Sequence, residues 1–177
     1  MRRRTSFLVW LLIIAVAAAL AELWRSGPAL LGRPPAATGE AFSGRARVVD
    51  GDSLEVSGRR VRLFGIDAPE ARQDCRDGRG RVYACGEEAR RALSVAIGGR
   101  PVTCTPVGAS HDRSVAVCTA GERDLSEAMV RNGHALELRR FSNGRYAEAE
   151  REARAAKRGL WQGDFTLPSE WRRAQER

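Results

Sequence analysis

The sequence predicts a β-rich α+β fold: a closed five-stranded antiparallel barrel with three helices packed at one end, preceded by an N-terminal hydrophobic helix. Three observations predict it. Five short runs alternate or stay apolar with β-branched residues between Gly and Ser turns. Three longer runs place apolar or small residues at helical spacing. Residues 7–21 are apolar without one charged side chain.

That first run follows a basic start, Arg2 to Arg4, and spans about fifteen residues, closer to a signal-peptide core than to the roughly twenty that cross a bilayer. Ala19-Leu20-Ala21 offers a cleavage site. Extension through Leu23 and Trp24 gives the alternative, an uncleaved anchor. Both readings stand for residues 1–24, and both leave the arginines on the cytoplasmic side and the globular part exported: periplasmic, secreted, or membrane-anchored outside the cytoplasm. Residues 25–43, with Pro28, Pro34 and Pro35 and no periodicity, read as a flexible linker. The folded domain is expected over 44–163, with a C-terminal tail over 164–177.

Within the domain, runs 46–49, 53–56 and 60–66 read as strands, the last two a hairpin turning at Ser57-Gly58. Residues 87–97 place Ala89, Leu93, Ala96 and Ile97 on one helical face, and Gly98-Gly99 ends the helix. Runs 101–105 and 114–119 return to strand pattern. Asp124 can cap a helix over 125–132, stopped by Gly133. The last helix, 145–158, carries Ala149, Ala153 and Ala156 as a small-residue stripe and ends at Gly159.

Four cysteines lie in the exported part, where an even count points to disulfides. The local pairing is expected: Cys75 with Cys85 across the Arg/Gly-rich loop, and Cys104 with Cys118 between neighbouring strands. Each bridge stabilises by about 3 kcal/mol in the chain-entropy model. Zinc is the alternative, disfavoured because no C-x-x-C pair occurs and His111 and His134 are the only histidines. Those two histidines read as surface or packing residues. The formal net charge of +8 favours a polyanionic partner. Its weight is limited, because basic exported proteins of other functions are common.

The most informative stretch is 48–70, VVDGDSLEVSGRRVRLFGIDAPE. It sets three carboxylates and an arginine at the ends of two short apolar runs. Asp52 and Asp67 at strand ends can converge on one ion, and hard oxygen ligands suit calcium or magnesium. The stretch resembles the staphylococcal nuclease (thermonuclease) family, whose signature runs D-G-D-[ST] and then R-L-x-G-I-D-x-P-E. The likeness extends over about 46–161, through Trp161, which matches a packing tryptophan.

The resemblance implies an OB-type five-stranded barrel. It also implies a calcium-dependent nuclease with one Ca2+, acting on DNA or RNA; a monomer is expected, attached to a membrane through the N-terminal segment if that segment is not cleaved. Asp52 and Asp67 match the calcium carboxylates, and Ala68 stands where a backbone carbonyl is a ligand. Asp50 matches an acidic position near the ion, and Ser53 the usual threonine. Glu70 matches the general base, and Arg62 and Arg113 match the arginines that grip the phosphate, for which a guanidinium fork is suited. The family pattern D-x-Y-G-R-x-L-A is shortened here, since Asp112 abuts Arg113. One alignment makes Arg113 the phosphate ligand; the other leaves that place to Ser114. Arg139 and Phe141 stand where tyrosines are common, which alters base stacking. Two other classes stay open: a non-catalytic barrel binding nucleic acid or protein at the cell envelope, and an envelope structural module.

Overall fold

The structure, a computed structural model, describes residues 35–110 and 112–176. The expected leader and His111 lie outside them. Among the described residues no helix is long and apolar enough to cross a membrane.

Along the chain the strands are β1 Phe42–Gly44, β2 Ala46–Val48, β3 Ser53–Val56, β4 Arg59–Leu63, β5 Ile66–Asp67, β6 Cys75–Arg76, β7 Val82–Tyr83, β8 Val102–Ser110, β9 Arg113–Ala120, β10 Arg123–Asp124 and β11 Leu136–Glu137. The helices are α1 Cys85–Ile97, α2 Leu125–Arg131, α3 Arg139–Ser142, α4 Ala147–Ala155 and α5 Pro168–Gln175. A 3₁₀ turn at Gly159–Gln162 precedes α5.

The main sheet runs β1-β8-β9-β4-β3-β2, with β10 added to β9. β1 and β2 are successive pieces of chain separated by Arg45, yet they stand at opposite ends of this order. The sheet therefore curls back on itself, as an OB-type α+β fold requires. Two sequence expectations need correction. The sheet is not antiparallel throughout, because β4 and β9 run parallel with Arg62 opposite Val115; α1 and β8 make the long crossover that a parallel pair needs. It also holds seven strands among the described residues rather than five, because β1 and β10 join it. β1 was expected as linker, but Phe42 pairs with Cys104, and Thr38 N donates to Pro106 O at 2.8 Å.

The core is the inner face of this sheet closed by helices. Leu54, Val56, Val61, Leu63, Val102, Ala116 and Cys118 pack against Ala89 and Leu93 of α1 and Leu125 and Met129 of α2. Truncating one such leucine to alanine costs about 2–5 kcal/mol. Asp124 caps α2 as expected, its carboxylate accepting from Glu127 N at 3.1 Å. The expected helix 145–158 is shorter, Ala147–Ala155.

Both disulfides form in the local pairing, and Cys104 lies directly opposite Cys118 across the β8–β9 ladder. Cys75 and Cys85 instead anchor a second, smaller core with Leu136 and Leu160, flanked by Trp161 and Phe165 edge to face at 5.3 Å. The expected tail 164–177 is ordered through α5. Pro168, at a first-turn position with φ already suited to a helix, starts that element.

Candidate active site

The D-G-D-S turn builds the first wall. Val49 N donates to Ser53 O at 2.9 Å, and Asp52 N donates to the Asp50 carboxylate at 3.0 Å, an Asx-type closure. Asp50 thus shapes the turn while Asp52 is driven inward at the head of β3. Strand register sets Ser53 directly opposite Arg62 on β4.

After β4 the expected single strand 60–66 breaks at Gly65, whose φ of +73° turns the chain. A side chain there would also lie 2.9 Å from Ser142 Cβ. The turn starts β5, which pairs with β11 and delivers Asp67 beside Asp52. One guanidinium nitrogen, Arg62 Nη2, donates to Asp52 Oδ2 and to Asp67 Oδ1, each at 2.9 Å.

Asp52 and Asp67 are almost fully buried, at 5% and 3% exposure. Asp52 also accepts from Ser53 Oγ at 2.9 Å and from Ala68 N at 3.3 Å. Burial is the largest influence on its carboxyl and pushes the pKa up to about 7; Arg62 and Ser53 pull it down, while Asp50 and Asp67 add to the rise.

Glu70 sits on the turn after Pro69. Its main chain is fixed at both ends by Gln73, which donates N–H to Glu70 O at 2.8 Å and accepts Glu70 N at Oε1 at 3.2 Å. Gly86, at the start of α1, backs onto this turn so closely that a Cβ would fall 1.8 Å from Glu70 O. The Glu70 carboxylate accepts from Arg172 Nη1 at 2.6 Å, and the same arginine reaches Asp67 Oδ1 at 3.0 Å and Oδ2 at 3.3 Å.

Arg113 opens β9, and its Nη1 donates to Ser53 Oγ at 3.1 Å. Ser53 therefore joins Arg113 to Asp52. The neighbouring Asp112 is engaged by Arg60, so the shortened loop brings Arg113, rather than Ser114, to this cluster. Ser114 is opposite Val61 in the parallel ladder.

Asp50, Asp52, Ser53, Arg62, Asp67, Ala68, Glu70 and Arg113 thus gather into one hydrogen-bonded cluster. His134 lies apart, lining a cavity between α1 and α2, with burial holding its pKa low. That cavity, about 830 Å³, is the largest described, yet it touches none of these residues. Two smaller cavities border the cluster, one of about 460 Å³ at Asp67 and one of about 560 Å³ at Ser53 and Arg113. Arg172 and Gln73 were not legible as site residues. The run Trp171-Arg172-Arg173 after Pro168 suggests a helix start but not its partner.

Among the described residues no group of three or more carboxylate, Cys or His side chains gathers as a ready-made metal cage. The donors present suit a sparser site. Asp52 and Asp67 offer oxygens close enough to share one N–H donor, and such hard oxygens suit a calcium- or magnesium-type cation.

An OB-type curled sheet carrying buried carboxylates against converging guanidiniums defines a class of site suited to phosphate diesters. The family described as Staphylococcal nuclease homologue matches residues 60–163, and the chain belongs to it. It is 36% identical to the succinoglycan biosynthesis protein ExoI of Rhizobium meliloti (strain 1021), over 75% of this chain and 71% of that protein. It is 36% identical to the probable staphylococcal-like nuclease CAN2 of Oryza sativa subsp. japonica, over 66% of this chain but 30% of that longer protein. Protein ParB of Escherichia coli is 31% identical over 72% of this chain and 76% of its own length.

Proposed function

We propose that the protein is a calcium-dependent nuclease hydrolysing phosphodiester bonds of DNA or RNA outside the cytoplasm. One observation carries the reading: a single Arg62 nitrogen shared by two buried carboxylates, with Glu70 and Arg113 tied into the same cluster. Asp52 and Asp67 would hold the cation, with Ala68 contributing at the main chain. A bound divalent ion neutralises the non-bridging phosphate oxygens and favours ionised water.

The protein's own residues do the rest. Arg62 and Arg113 converge on the phosphate and donate paired, charge-assisted hydrogen bonds that strengthen as charge builds on its oxygens. Ser53, held between Arg113 and Asp52, keeps the second guanidinium in register with the first. Glu70 accepts the proton of the attacking water, on a turn that Gln73 holds in place. Export is supported by the apolar leader and by four cysteines suited to an oxidising space.

The rival reading, nucleic-acid binding without cleavage, draws on one fact: Arg172 occupies the Glu70 carboxylate. Incubation of the purified protein with single-stranded DNA and RNA, in calcium or in chelator, separates the two. Cleavage in calcium alone supports the nuclease. Binding with no cleavage in either condition refutes it.

A further inference from the structure

The C-terminal helix brings a guanidinium to the cluster that the chemistry above does not use. The chain before α5 is well fastened. Asp164 and Arg76 exchange main-chain hydrogen bonds of 2.8 and 3.0 Å, and Gln73 Nε2 donates to Thr166 O at 2.7 Å. Beyond Thr166 the attachment thins: Leu167 is exposed, and Pro168 is the one buried residue of α5. Most of what ties the helix to the domain through polar contacts is Arg172.

Arg172 lies across Asp67 in a two-pronged pair and reaches Glu70 with the same Nη1. Both oxygens of Asp67 and one of Glu70 therefore accept from this side chain, Asp67 Oδ1 being shared with Arg62. Its guanidinium donates charge-assisted hydrogen bonds to both carboxylates. A carboxylate oxygen serving a guanidinium N–H cannot at once serve a metal ion with that lone pair. Glu70 Oε1, occupied by the same nitrogen, is likewise not open to an attacking water.

We propose that Arg172 is a displaceable latch: in the cation-free protein it holds Asp67 and Glu70 closed, and it yields both when a divalent cation engages Asp67, α5 swinging about Leu167. The hinge position follows from the fastening, since Thr166 is fixed by Gln73 and the polar contacts of the helix beyond run through Arg172. The same Gln73 supports the Glu70 turn, so opening the helix does not dismantle the turn. This inference rests on the nuclease reading, because that reading requires Asp67 and Glu70 to be free.

The test compares the full-length protein with Arg172→Gln by calcium titration calorimetry and by hydrogen exchange of residues 168–175. The expected result has three parts. Without calcium the helix exchanges faster in Arg172→Gln than in the wild type; saturating calcium loosens it in the wild type; and calcium binds the variant about tenfold more tightly, since a competing charge-assisted pair is gone. Equal calcium affinity in both proteins, with wild-type helix protection unchanged by calcium, overturns the latch while leaving the nuclease reading intact. Absence of calcium binding in both proteins overturns the calcium-dependent reading and the latch with it.

Discussion

The cluster has a fixed half and a movable half. Asp52, Ser53, Arg62 and Arg113 stand on β3, β4 and β9 or at their ends, where ladder hydrogen bonds and the core set their positions. Glu70 and Arg172 stand on a turn and a terminal helix, held by side chains and one disulfide. Exposure follows the division: the Arg62 side chain is 19% exposed and Asp52 6%, against 29% for Glu70 and 35% for Arg172. On the proposed reading, the groups assigned to grip phosphate are pre-set by the sheet, while the group assigned to take the proton depends on how its turn is braced. Damage to the first half should cost both folding and activity, and damage to the second chiefly activity.

The largest break in the comparison is Arg62→Ala. It leaves Asp52 and Asp67 buried without their shared donor, so stability should fall by about 3–5 kcal/mol as well as losing turnover. Denaturant melts beside rate measurements check both effects. The two disulfides sharpen the contrast, because each closes a loop of similar length, the cysteines standing 10 and 14 residues apart. Each paired Cys→Ser replacement should cost about 3 kcal/mol. Loss of Cys75–Cys85 should also depress turnover by freeing the Glu70 turn, whereas loss of Cys104–Cys118 should leave turnover near normal below the melting range.

Gly86→Ala acts at the seam between the movable half and α1. The added methyl meets the Glu70 carbonyl and must push the turn or α1 aside, for about 1–3 kcal/mol and a loss of turnover. Smallest is the pH effect of His134, remote from the site. Burial lowers its folded pKa below 6.5, with Glu88 partly offsetting the shift. The unfolded chain then binds more protons below that value, so this residue's contribution is complete above about pH 6.5 and is lost as pH falls. Subtracting the melting profile of His134→Gln from that of the wild type should leave this slope, and turnover should be unchanged.

The fixed half, Arg113 apart, was legible in the sequence because its information is local. Asp50-Gly51-Asp52-Ser53 specifies a turn and Arg62 follows within one hairpin, whereas the bend at Gly65 toward Asp67 falls inside the expected strand 60–66. The buried faces of α1 and the cap of α2 were legible for the same reason. The short pairings were not. β1 and β11 gain their structure from partners far along the chain, at Cys104 and Asp67, and neither tripeptide nor dipeptide carries a period. Arg172 was hidden for a related cause: its partners are 105 and 102 residues away, and nothing in Trp171-Arg172-Arg173 names them.

The direct test of the account is the rate of calcium-supported cleavage of a short single-stranded DNA by Glu70→Gln against the wild type, with melting temperatures recorded on the same samples. A general base on a braced turn predicts a fall of about 10²–10⁴-fold at nearly unchanged melting. Cleavage at the wild-type rate by the folded variant would contradict it.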